Sequence, residues 1–198
     1  MDRQESTTLL RRVRQGEPEA LDALYERVAG RLLAFIRLRL GRTLRAQLES
    51  RDILQATFLK SFEHLGEFEK SDTSSLMAWL ARIAENEIRD RADYHTRQRR
   101  DARVEVPLDT AHEGVAARMR SALTQVILDE RAERLEEALE ALDAHYREII
   151  ILRSLEELSF PEIGRRLQKS EDACRMLYAR AMAALTLRMG AHAGGSGS

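Results

Sequence analysis

A chain of 198 residues with 43% hydrophobic and 33% charged residues can bury one core or two small ones and stay soluble. Aromatic residues make up only 5%, with 10 Gly and 3 Pro, and the abundant Leu, Ala, Arg and Glu favour helices over strands. The formal net charge of −1 is no bulk signature of a nucleic-acid binder, although it averages over faces of differing sign, and the single Cys174 excludes an internal disulfide framework or a multi-cysteine metal site.

Leu9, Leu10 and Val13 form the apolar face of a short first helix that stops near Gly16. "GEPEALDALYERVAGRLLAFIRLRL" then begins a long one, with Pro18 suited to a first helical turn and Glu17 and Glu19 to the positive helix end. Leu21, Leu24, Tyr25, Val28, Leu32, Phe35, Ile36 and Leu40 recur at steps of three or four, a helical stripe. After "GRTLRAQLES" a third helix is expected from about Asp52 to Leu65, with Ile53, Ala56, Phe58, Leu59 and Phe62 apolar. "GEFEKSDTSS" reads as a polar loop, with Ser74 or Ser75 capping a fourth helix whose apolar face is Met77, Leu80, Ile83, Ala84 and Ile88.

From about Asp101 to Leu123 the periodicity fades, and Pro107 and Gly114 mark a linker. It returns at Leu128, giving one helix to about Leu142 and another from Ala144 to Leu155. The reading is all-α: two small helical domains, 1–100 and 128–190, joined by a linker at 101–127. The tail at 191–198 ends in "GGSGS", which has the composition of an expression linker. The N-terminus lacks the apolar run of a secretory signal, and no stretch approaches the roughly 20 apolar residues that span a bilayer. A cytoplasmic protein without membrane insertion is expected.

The C-terminal domain closes with "LSFPEIGRRLQKSEDACRMLYARAMAAL", which fits a helix–turn–helix. Its first helix runs from Phe160 to Leu167, "QKS" is the turn, and Ser170 caps the second. The fifth position must be small where the helices cross, and it is Gly164. Ile163, Leu167, Cys174 and Leu177 face the domain, which turns Arg175, Met176, Ala179 and Arg180 outward. A recognition helix lays such a face in the major groove, where arginine is the commonest specific reader. On this stretch alone a structural αα-hairpin stays open as the alternative. Gln168 stands where the turn often has glycine, and Lys169 where an apolar residue is usual.

Two further stretches carry a resemblance. Asp52-Ile53-Leu54-Gln55-Ala56-Thr57-Phe58-Leu59, followed by Trp79-Leu80, Ile83-Ala84, Asn86 and Asp90, resembles the core-binding and promoter-melting regions of bacterial extracytoplasmic-function sigma factors. "REIIILR" at Arg147–Arg153 and "LSFPEIGRRLQKS" at 158–170 resemble the same family's terminal helix–turn–helix. The likeness covers residues 7–100 and 128–188. Departures are Arg51 and Ala56 where acidic residues are common, and Met176 and Leu177 within the recognition helix, so promoter preference should differ from that of relatives.

The resemblance implies a non-catalytic partner of core RNA polymerase. The helix beginning at Asp52 would dock on the clamp helices of the largest subunit through Leu54, Gln55, Phe58 and Leu59, with one of Phe58 and Leu59 expected to lie in the core instead. Arg82, Asn86, Arg89 and Asp90 would handle the −10 promoter element, with the loop Gly66–Ser75 receiving a flipped base, since extrusion costs a few kcal/mol that a pocket must offset. Asn can donate to and accept from a base edge, and arginines suit phosphates. Arg153, Arg175, Met176, Ala179 and Arg180 would serve the −35 element, while Arg97, Arg99, Arg100 and Arg103 extend a basic run into the linker.

Trp79 is expected to anchor the fourth helix and Cys174 to be a small core residue; the five histidines show no metal spacing. No cofactor, metal or catalytic constellation is read from the chain. An anti-sigma factor is a candidate partner through the resemblance. A regulatory kinase is another, because phosphate on Thr57 would restore an acidic surface to the polymerase-binding helix. The competing account is a conventional helix–turn–helix transcription regulator with an N-terminal sensor or dimerisation bundle.

Overall fold

The structure, a computed structural model, describes residues 8–13, 15, 17–68, 75–98 and 130–193. Among these no strand occurs, and the chain divides between residues 127 and 128 into two compact units. The linker expected at 101–127 and the tail from 194 lie outside the described residues.

In the first unit, residues 8–13 are helical. α1 (Pro18–Arg45), α2 (Ser50–Glu63) and α4 (Leu76–Gln98) pack against one another in pairs, with a one-turn α3 (Leu65–Phe68) between α2 and α4. All eight apolar residues of the α1 stripe are buried, as periodicity requires of a helix with one covered side. Met77, Leu80, Ala84 and Ile88 do the same for α4.

Two local features depart from expectation. Gly41 adopts φ 60°, ψ 178° inside α1, a conformation that costs a residue without Cβ little. Helical geometry then resumes to Arg45, whose Nε donates to the Gly41 carbonyl at 3.3 Å. The glycine therefore kinks the helix and does not end it. α3 replaces part of the expected polar loop, because Phe68 packs its ring 5.4 Å from that of Trp79. Trp79 is buried, as an anchor of α4 should be.

Tyr25 ties α1 to α2. Its ring stacks on Phe58 with centroids 4.3 Å apart, and its hydroxyl donates to the Phe58 carbonyl at 3.2 Å and lies 3.3 Å from Ser61 Oγ. Burial pushes the phenol up from 10.0 to about 12, against a smaller opposing effect of the Ser61 hydrogen bond. A phenol with its folded pKa above its unfolded one contributes fully below the unfolded value, and that contribution is lost as pH rises through the folded one. Tyr25→Phe removes this titration. The stability advantage of wild type over Tyr25→Phe in urea melts should fall by about 2 kcal/mol between pH 9 and pH 12. A constant difference would contradict the burial of the hydroxyl.

The second unit holds α5 (Glu130–Glu140), α6 (Ala144–Ile150), a π-helical turn at Ile151–Leu155, α7 (Phe160–Leu167) and α8 (Glu171–Ala193). Ile149, Ile150, Ile151 and Leu152 are all buried. Four successive helical residues span about 300°, so this segment is covered nearly all round and forms the centre of the unit. Arg147 closes the α5–α6 corner by donating to the carbonyls of Leu139, Glu140 and Leu142 at 2.8 to 3.1 Å. Carbonyls at the end of a helix are the ones left short of intrahelical donors.

Candidate nucleic-acid interface

α7 starts with a reciprocal capping box. Ser159 N donates to Glu162 Oε2 at 2.7 Å, and Glu162 N donates to Ser159 Oγ at 3.4 Å. The turn into α8 depends on Gly164. A Cβ there would stand 2.6 Å from the Lys169 carbonyl oxygen, so the close crossing admits no side chain. Gln168 takes the left-handed conformation, φ 55°, and the Lys169 amide returns to the Gly164 carbonyl at 2.9 Å. A left-handed cap is usual at a helix end, and glycine is the common occupant. Gln168 fills it without changing the geometry. Ser170 Oγ then accepts from the Ala173 amide at 3.2 Å, capping α8.

This geometry fixes the register of α8. Ile163, Cys174 and Ala181 are fully buried, and Leu167 and Leu177 are half-buried. Arg175, Met176, Ala179 and Arg180 are exposed together, Met176 at 57%. Two arginines near this face, of which Arg153 is the expected DNA contact, have other work in the free chain. Arg153 donates to the Leu158 carbonyl at 2.9 Å and lies over the Phe160 ring at 4.9 Å. Arg166 pairs at 2.8 Å with Glu156, which is 2% exposed, so it fastens α7 to the preceding loop.

On α4, Arg82, Asn86, Arg89 and Asp90 are all exposed on one side. Asn86 Oδ1 accepts from Arg89 at 3.3 Å, which leaves its amide hydrogens pointing elsewhere. Beside them runs an open groove of about 400 Å³, lined by Lys60, His64, Trp79, Ile83, Asn86 and Asp90. Its lining mixes apolar Trp79 and Ile83 with polar Lys60, His64, Asn86 and Asp90. Ser75 caps α4 through the Ala78 amide at 3.4 Å. Residues 69–74 of the expected base-receiving loop, with Ser74, and Arg99, Arg100 and Arg103 of the basic run lie outside the described residues.

α2 corrects the expected polymerase face. Leu54 and Phe58 are wholly buried under α1 and α4, and neither can touch a partner in this fold. Thr57 is also wholly buried, its hydroxyl donating to the Ile53 carbonyl at 2.7 Å, so a kinase has no access to it. One outward side of α2 carries exposed Asp52 and Phe62, the latter at 38%, with half-buried Gln55 and Leu59 between them. They recur at steps of three or four along one side. Lys60 pairs with buried Glu87, linking α2 to α4 next to the groove.

Among the described residues no cluster of His, Cys, Asp and Glu is arranged to hold a metal, and no helix is long and apolar enough to cross a membrane.

Comparison with known proteins places both units. Residues 24–100 match the model of sigma-70 region 2, and residues 132–185 match that of sigma-70 region 4. The RNA polymerase sigma factor CarQ of Myxococcus xanthus is 32% identical over 169 residues, covering 84% of this chain and 87% of that protein. The RNA polymerase sigma factor NccH of Alcaligenes xylosoxydans xylosoxydans is 30% identical over 187 residues, covering 90% and 91%. Among solved structures, CnrH in complex with the cytosolic domain of CnrY is 24% identical, covers 96% of this chain and 97% of that one, and has a TM-score of 0.45.

Proposed function

This chain belongs to the sigma-70 family as an extracytoplasmic-function sigma factor, and from that premise we propose a division of labour among its helices. As such a factor it binds core RNA polymerase, directs it to promoters through −35 and −10 contacts, and helps open the −10 DNA. The conventional-regulator account explains a helix–turn–helix within residues 128–190 but not its match to sigma-70 region 4 over 132–185. It gives no reason for a region 2 match over 24–100.

The observation that carries the assignment of surfaces is that three separate faces stay exposed after both cores are complete. α2 docks on polymerase through Asp52, Gln55, Leu59 and Phe62. α4 and its groove take the opened −10 strand through Arg82, Asn86, Arg89 and Asp90. α8 reads the −35 duplex through Arg175, Met176, Ala179 and Arg180, with Arg153 supporting from behind. The chain needs no catalytic group for this role, because polymerase makes the RNA; its place is the cytoplasm, with its enzyme. An inhibitory anti-sigma partner remains part of this account, whereas a kinase acting on Thr57 does not.

Leu59→Asp and Phe62→Ala test the polymerase face. Aromatic anchors dominate most interfaces, and losing one typically costs 2 kcal/mol or more. Each variant should keep the wild-type melting temperature and bind core polymerase at least about tenfold more weakly. Unchanged affinity would move the polymerase contact away from α2.

A further inference from the structure

Phe160 sits where three elements meet. The guanidinium of Arg153, from the π-turn, lies 4.9 Å from its ring centroid, and that of Arg175, from α8, lies 4.8 Å from it. Tyr178 packs edge-on at 5.9 Å, and its hydroxyl is 3.1 Å from Ser154 Oγ. Arg175 also pairs with Glu171 one turn earlier, a bridge whose two side chains are 55% and 42% exposed. An exposed i,i+4 ion pair is weak and screened by salt, and here it engages a single nitrogen of the guanidinium. A ring contact uses the guanidinium face and leaves the N–H donors free along its edge.

We propose that Phe160 is a positioning residue for −35 reading: its ring pre-sets the Arg175 guanidinium at the DNA-facing side of α8, so that Glu171 can be exchanged for a base edge without freeing the whole side chain. The inference rests on the −35 role of α8 proposed above. An unsupported arginine must give up most of its rotamer freedom to make a two-donor contact, whereas one already lying on a ring gives up little. Phe160 thereby acts on sequence discrimination through Arg175 and makes no base contact itself. Only an aromatic residue at 160 can do this, since an aliphatic one offers bulk without a π face.

The test is transcription by holoenzyme reconstituted with the full chain, on promoters differing at single −35 positions. Arg175→Ala first identifies the base pairs whose preference it relaxes. Phe160→Leu should reduce discrimination at those same pairs about three- to tenfold, the size of a cation–π contact. Phe160→Tyr should retain it, and Phe160→Leu added to Arg175→Ala should reduce it no further. Full discrimination in Phe160→Leu, or an equal loss in the Arg175→Ala background, would overturn the positioning role while leaving the −35 reading intact. No change in Arg175→Ala itself would overturn the reading beneath it. Should Phe160→Leu not fold, proton NMR of the wild-type chain decides: ring-current shifts at the Arg175 side chain are expected, and unshifted resonances would contradict the contact.

Discussion

Leu54→Asp should unfold the N-terminal unit. Leu54 is fully buried between α2 and its neighbours. Losing a core leucine side chain costs about 2–5 kcal/mol. The aspartate adds a polar group with no partner in an apolar site, for a further cost of about 1–3 kcal/mol even when it takes up a proton. The sum is comparable with the whole stability of a small domain, about 5–15 kcal/mol. Far-ultraviolet circular dichroism should show a large loss of helix, and core polymerase binding should disappear with it. Leu59→Asp, a few residues along the same helix, should lose polymerase binding with its helix content unchanged. A Leu54→Asp chain that melts like wild type yet fails to bind polymerase would mean that Leu54 faces outward.

Gly164→Ala carries the second large effect, and its sign rests on a competition. In an ordinary helix interior the change gains about 1 kcal/mol, because alanine is the better helix former. Here the added methyl would stand 2.6 Å from the Lys169 carbonyl oxygen, and backbone cannot swing aside as a flexible side chain can. Relieving the collision requires α7 and α8 to splay, at a typical overpacking cost of 1–3 kcal/mol or more. We expect the collision to win, with a net loss of about 1–2 kcal/mol and a melting temperature of the second unit lower by about 5–10 °C. Promoter use that depends on the −35 element should fall, because the α8 face turns with the helix, while binding to core polymerase through α2 persists. A melting temperature at or above that of wild type would show that the crossing is looser than described.

How far the sequence could be read follows from what hydrophobic patterning measures. The α1 stripe from Leu21 to Leu40 was legible because its apolar residues recur at steps of three or four, and all eight are buried. Gly164 was legible because a helix–turn–helix tolerates no bulk at the crossing. α2 misled because it is apolar on two sides. Its pattern marks which residues seek cover without saying whether the chain itself or a partner supplies it. Leu54 and Phe58 are covered from within, whereas Leu59 and Phe62 are left partly open. The polymerase surface proposed on α2 is the half of the pattern that the fold leaves over.

Other misses have different causes. Gly41 reads as a helix end, but one residue at positive φ can be accommodated within a helix that packs on both sides of it. The capping box was present in "SFPE" as the S-x-x-E signal and could have been found. The Glu156–Arg166 pair could not, because its partners stand ten positions apart in the chain with a left-handed Glu157 at φ 59° between them. The same holds for Arg153 and Arg175 meeting on Phe160, which depends on how three elements converge.

Promoter opening is the activity that separates this account from any simple DNA-binding protein. The decisive measurement is permanganate footprinting of unpaired thymines with run-off transcription, using core polymerase, this chain and matched duplex and pre-opened −10 templates. Wild type should expose reactive thymines around −10 and yield transcript from both templates. Asn86→Ala, which alters the groove on α4 and neither the α2 nor the α8 face, should be defective on the duplex and partly restored on the template whose strands are already apart. Absence of permanganate-reactive bases with the wild-type chain and core polymerase would contradict the account at its centre.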